Sequence, residues 1–123
     1  MALIGVGLDA VEIGRFRDAL TRTPSLEARL FTEGERAYGR AGQDPAPRLA
    51  VRFAAKEAAM KALGVGLGAF AFHDVEVVND ESGAPSLRVT GRAAALALEK
   101  GAASWQVSLS HTDSVAIAVV ILA

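Results

Sequence analysis

The chain contains no cysteine. That removes disulfides, thiolate-bound zinc, iron–sulfur clusters and cysteine nucleophiles, and it fits a reducing, cytoplasmic setting. Histidine is scarce: His73 and His111 leave little for a His-rich metal site. No apolar run reaches the ~18 residues that a membrane-crossing helix needs. The opening Met-Ala-Leu-Ile-Gly-Val-Gly-Leu-Asp lacks a basic leader and meets an aspartate at once, so no signal peptide is expected. A net charge of −1 is too near neutral for a general nucleic-acid binder. These absences leave a soluble cytoplasmic protein. Its 123 residues suit one domain over 1–123, large enough to bury a core without covalent staples.

What is present is unevenly spread. Residues 1–64 hold ten Lys/Arg against eight Asp/Glu, and residues 65–123 hold three against six. Arginine dominates the positive set, and its planar fork suits bidentate contact with phosphate or carboxylate. The apolar run 3–8 predicts a buried strand with Asp9 at its exit. A helix is expected over 11–22, placing Arg15 and Arg22, seven apart, on one face. Thr23-Pro24 breaks it, and 25–40 predicts one or two short helices. Residues 42–47 form the clearest loop. Residues 48–63, rich in Ala, Lys, Glu and Leu, give the strongest helix signal, with Gly64 as its stop. Strands are expected over 72–78 and 87–90, a helix over 92–100, and strands over 105–109 and 115–122. The order predicts an α+β fold, an antiparallel sheet packed with helices, in which the two terminal strands can pair.

Several side chains invite chemistry. Asp9 is either a helix cap, with Glu12 three residues on completing a capping arrangement, or a metal ligand. Glu57 is either a surface partner of Lys61 at i+4 or a half-buried carboxylate that needs a cation. Two hard carboxylates without thiols would suit magnesium completed by water and substrate phosphate. Arg52, Lys56 and Lys61 form either a solvated helix face or a phosphate clamp. Gly64, Gly66 and Gly68 follow a helix C-terminus, where the dipole disfavours anions, so they read as a cap and a loop open to a ligand's approach. His111 sits at a turn among hydroxyls, where it can bind phosphate, titrate or hold the turn. His73 reads as structural.

Three segments together resemble the holo-acyl-carrier-protein synthase family, the small single-domain 4′-phosphopantetheinyl transferases. They are Gly5-Val6-Gly7-Leu8-Asp9 with Glu12, Arg15 and Phe16; Arg52-Phe53-Ala54-Ala55-Lys56-Glu57-Ala58 with Lys61 to Gly64; and Ser108-Leu109-Ser110-His111. Their order and spacing span nearly the whole chain. The resemblance implies the transferase fold and transfer of the phosphopantetheine arm of coenzyme A to a serine of apo acyl carrier protein, releasing 3′,5′-ADP, in support of fatty acid biosynthesis. It implies that Asp9 and Glu57 hold Mg2+, that Glu57 also helps deprotonate the attacking serine, and that Lys61 neutralises the pyrophosphate. Arg52, Gly64, His111 and Thr112 would contact coenzyme A, and Arg15 and Arg22 the carrier protein. It also implies a homotrimer with active sites between subunits. The segment 36–48 aligns poorly with the family. The competing expectation is a module that binds coenzyme A or a carrier and modifies nothing.

Overall fold

In the computed structural model, which describes residues 2–123, one long helix lies across a three-stranded sheet. The helix, α4 (Ala46–Leu63), is buried on nearly every side, and even its Arg52 and Lys56 lie inside. Alanines make this possible: Ala54, Ala55, Ala58, Ala59 and Ala62 let neighbouring backbones come close. Its end is the Gly64 cap, whose φ of 71° is the left-handed conformation that closes a helix.

The sheet has the order β1-β5-β4, all antiparallel: β1 (Gly5–Glu12), β4 (Trp105–His111) and β5 (Val115–Leu122). The two terminal strands pair along their full length, Gly5 opposite Leu122 and Glu12 opposite Val115. Side chains alternate between the two faces. On the face toward α4, β1 presents Gly5, Gly7, Asp9 and Val11. On the other face Val6, Leu8 and Ile117 stand exposed beside Val119 and Ile121, an apolar strip that no described residue covers.

The glycines of β1 are there for contact. A Cβ on Gly7 would lie 1.7 Å from the Ala58 carbonyl oxygen, and one on Gly5 1.8 Å from that of Ala62. Both obstacles are main chain, so neither can swing aside. Gly7→Ala is expected to push α4 off the strand and to cost at least about 3 kcal/mol, the upper end of ordinary overpacking, or roughly 10 °C in Tm. A thermal melt within 2–3 °C of the parent would contradict this packing.

Around this centre lie α1 (Ile13–Arg22), α2 (Leu26–Leu30), α3 (Glu33–Arg40), the hairpin β2 (Val75–Asn79) and β3 (Pro85–Val89), and α5 (Gly91–Glu99). A 3-10 turn, Phe72–Asp74, leads into β2 where the sequence pattern suggests strand from residue 72. The first strand also runs further than its apolar run predicts. It continues through Asp9 to Glu12, and α1 starts two residues later than expected. Asp9 therefore caps no helix, and Glu12, the residue before α1, makes no side-chain cap bond. The capping arrangement at Asp9 and Glu12 is absent because the main chain there is paired in the sheet, opposite Ala118 and Val115.

Candidate active site

Because the β1 and α4 backbones touch at the glycines, the next inward residue, Asp9, reaches α4. Lys61 Nζ donates to Asp9 Oδ1 at 3.1 Å and to the Leu8 carbonyl at 2.8 Å. Lys61 therefore pairs with Asp9 across the contact, where the i+4 spacing suggested Glu57. Glu57, one turn earlier, is half-buried. Burial pushes its carboxyl pKa above the ordinary range, the Asp9 carboxylate raises it further, and Lys61 partly offsets both. Two carboxylates compete for one lysine, an arrangement that a further cation relieves.

Asp9 and Glu57 open into a cleft of about 720 Å³ between β1, α1, α2 and the segment after α4. Its floor is aromatic. Phe16 stacks on Phe53 at 5.4 Å between centroids, and Phe53 lies 6.0 Å from Phe72. Arg15 and Arg22 line it from α1, as their spacing predicts. Arg29 joins them from α2, a third arginine the sequence pattern did not single out. All three are exposed, and none forms an ion pair among the described residues.

The other basic residues of α4 lie elsewhere. Lys56 is fully buried, so it belongs neither to a solvated face nor to a phosphate clamp. Its ammonium donates to Glu35 Oε1 (2.8 Å) and to the Phe72 and Val75 carbonyls (3.0 and 2.5 Å), which uses all three of its protons. Burial lowers its pKa, and Glu35 partly restores it. Glu35 in turn accepts from Thr32 N and Val77 N and completes a capping box on α3. Arg52 is 2% exposed and does not line the cleft. It donates to Asn79 Oδ1 and the Arg48 carbonyl, and Tyr38 covers it at 4.1 Å. Its Nε, by contrast, is buried with no hydrogen-bond partner among the described residues.

His111 and Thr112 stand exposed at the β4–β5 turn, apart from the cleft-lining set. Thr112 Oγ1 accepts the Ser114 and Val115 N–H groups, and the His111 ring lies 3.2 Å from the Thr112 carbonyl. His73 contacts the Ala28 carbonyl at 2.8 Å, as a structural histidine should. Gly64 serves first as the helix cap. One chain thus brings together Asp9, Glu57, Lys61 and three arginines, and leaves Arg52, His111 and Thr112 outside that cluster.

Among the described residues no group of three His, Cys, Asp or Glu forms a ready-made metal cage. The donor chemistry fits a different kind of ion. Two hard carboxylates, one with its pKa raised by burial and by its neighbour, suit magnesium, which takes a few protein oxygens and completes its shell with water and phosphate. No helix among the described residues is long and apolar enough to cross a membrane.

Comparison with known proteins gives a consistent answer. The sequence model of the 4′-phosphopantetheinyl transferase superfamily matches residues 5–120. A holo-[acyl-carrier-protein] synthase of Streptomyces avermitilis is 52% identical over 121 residues, covering 98% of each chain. A crystal structure of the holo-[acyl-carrier-protein] synthase of Neisseria meningitidis superposes with a TM-score of 0.89 at 27% identity, covering 99% of both chains. That of the Bacillus anthracis synthase, in complex with CoA (3′,5′-ADP), gives 0.81 at 32% identity over 98% of this chain and 96% of that one.

Proposed function

This chain belongs to the 4′-phosphopantetheinyl transferase superfamily, and we propose that it is a single transferase domain that converts apo acyl carrier protein to the holo form. It transfers the phosphopantetheine arm of coenzyme A to a carrier serine and releases 3′,5′-ADP, in support of fatty acid biosynthesis. The observation that carries the reading is the Asp9–Lys61–Glu57 cluster at the head of an arginine-rimmed cleft.

The chemistry asks for positioning and charge neutralisation more than for a covalent nucleophile on the enzyme. The carrier serine Oγ attacks the pyrophosphate phosphorus that bears the pantetheine arm. A P–Oγ bond forms, the P–O bond to the adenylate side breaks, and 3′,5′-ADP leaves. Glu57 would take the serine proton, directly or through water. A carboxylate beside the attacked phosphorus is a suitable general base. Asp9 and Glu57 would hold magnesium, which when bound neutralises the pyrophosphate. Lys61, more than half exposed beside Asp9, would neutralise the same anion. Arg15, Arg22 and Arg29 offer an exposed cationic rim to an acidic carrier.

We assign a homotrimer with active sites shared between subunits. Two observations support it. The outer sheet face at Val6, Leu8 and Ile117 is an uncovered apolar strip of the kind that marks an interface. The residues expected at the phosphoadenosine end, Arg52, His111 and Thr112, lie away from the carboxylates of their own chain and are assigned to a neighbour's site. Tyr38 covers Arg52, so it has to shift for the guanidinium, whose Nε is buried without a partner among the described residues, to be reached. Gly64 is assigned a backbone approach to coenzyme A. The absence of cysteine fits a cytoplasmic setting.

The test is intact mass spectrometry of an apo acyl carrier protein incubated with this protein, coenzyme A and Mg2+, with an EDTA control. A gain of one phosphopantetheine that EDTA abolishes is the expected result. Coenzyme A binding without any gain on several carriers would leave only a binding module. Charge reversal of Arg15 and Arg22 together is expected to raise the carrier KM at least about tenfold, since exposed pairs contribute roughly 0.2–1 kcal/mol each and reversal adds repulsion. The coenzyme A KM should stay within twofold. Equal weakening of both would remove the carrier from this face.

A further inference from the structure

The two lysines of α4 differ in what holds them. Lys56 is buried and commits all three of its protons to fixed partners, so it cannot leave them. Lys61, five positions on, has a side chain 54% exposed, whereas that of its partner Asp9 is 17% exposed. Two of the Lys61 protons are used, one by Asp9 Oδ1 at 3.1 Å and one by the Leu8 carbonyl at 2.8 Å. A pair with one partner in water is weak, and a long lysine stem keeps its head free to move there. Asp9 forms no other ion pair among the described residues. Its charge also acts on Glu57. Without Lys61, a mostly covered carboxylate would stand uncompensated beside a second one. The ammonium thus sits on the carboxylate that the metal reading gives to its ion.

We propose that Lys61 is the resident counter-cation of Asp9 in the metal-free protein: it competes there with a divalent cation and leaves Asp9 for the pyrophosphate of bound coenzyme A. This rests on the metal assignment within the transferase reading and goes beyond it. In that reading Lys61 only neutralises the anion; here it also opposes the metal until the anion arrives. The signs of the charges decide the consequence. An ammonium 3.1 Å from one ligand oxygen repels a divalent ion at the same oxygen, and that contact has to break for the oxygen to coordinate. Pyrophosphate offers the ammonium a second anion. Bound coenzyme A therefore draws the competitor away while it adds phosphate oxygens of its own. Metal and coenzyme A favour each other by more than shared coordination, and by linkage the effect is reciprocal. The metal-free protein keeps Asp9 neutralised and takes up divalent ions weakly until the co-substrate is present.

The experiment reads metal binding and involves no turnover. Mn2+ is the probe, and its free fraction is followed by electron paramagnetic resonance in the absence of carrier protein. Parent, Lys61→Met and Lys61→Arg are titrated with and without saturating coenzyme A. Without coenzyme A, Lys61→Met is expected to bind Mn2+ about tenfold more tightly, because one positive charge beside the ion is gone. Lys61→Arg keeps that charge and should stay within about threefold of the parent. The gain in Mn2+ affinity that coenzyme A brings should shrink severalfold in Lys61→Met. Unchanged or weaker Mn2+ binding in Lys61→Met would overturn the proposal. So would an equal gain with and without coenzyme A, which would make Lys61 a fixed charge that never leaves Asp9. An equal gain in Lys61→Arg would do the same, by placing the cause in shape and not in charge. All three outcomes leave the metal assignment standing. No Mn2+ binding by any of the proteins, even with coenzyme A present, would overturn that assignment and the proposal with it.

Discussion

Glu57→Gln loses phosphopantetheine transfer by about a thousandfold or more and keeps the fold. The change is nearly isosteric, so the half-buried site beside α4 stays filled. In the proposed mechanism it removes the proton acceptor, a contribution of ~10²–10⁴-fold in general base catalysis, and one of the two carboxylates proposed to hold the metal. Circular dichroism and a melt should match the parent while the mass-shift assay stays silent; parental turnover in this variant would sink the assignment. The pH dependence follows from the same carboxyl. Its folded pKa is raised, so the folded metal-free protein holds this proton to higher pH than the unfolded chain does. Stability without metal should therefore fall as pH rises through the window above the ordinary glutamate range, and Mg2+ affinity should rise through that window. Glu57→Gln should remove both trends. A metal affinity that is flat across the same window in the parent would contradict the coupling.

Lys56→Met is expected to be the most destabilising single change inside the core, by about 3–5 kcal/mol, because it leaves the buried Glu35 carboxylate without its cation. The stem volume is kept, so the loss reports the charge and not a cavity. Glu35 would retain the Thr32 and Val77 N–H donors, but two dipoles do not replace an ammonium at 2.8 Å. The Phe72 and Val75 carbonyls would also lose their donor, which loosens the turn carrying one wall of the cleft. The check is urea denaturation, where a loss of that size is a large part of the ~5–15 kcal/mol that holds a domain together. A change under about 1 kcal/mol would mean that the pair is offset elsewhere. Lys56→Met with Glu35→Gln should recover part of the loss, because the stranded charge is gone.

Periodicity and glycine punctuation made most elements legible. The long helix was expected over 48–63 and runs over 46–63, because propensity and burial agree there. The pairing of the terminal strands followed from two apolar runs at the chain ends. Errors cluster where a polar residue is satisfied by a partner distant in sequence. Asp9 looked like the end of a strand because aspartate is rare inside one; Lys61, 52 positions away, lets the strand continue. Arg52 and Lys56 read as a solvated face or a phosphate clamp because nothing local announces Asn79 or Glu35 as partners. Arg29 was missed because the direction of a five-residue helix depends on the turn before it, which no periodicity encodes. Gly5 and Gly7 were visible as letters, but the close contact they permit needs α4 beside them.

The strand order has a kinetic consequence. The middle strand of the sheet is β5, the last element in chain order, while one of its neighbours, β1, is the first. Until β5 is placed, β1 and β4 share no ladder, and α4 has only half a surface to lie on. The closing step joins segments separated by almost the whole chain, so its loop entropy falls due before most native contacts reward it. Folding should therefore be slow for a domain of this length, and its transition state should already contain the pairing of β5. Truncating side chains on β5 should slow refolding, whereas equal damage on α5 should mainly speed unfolding.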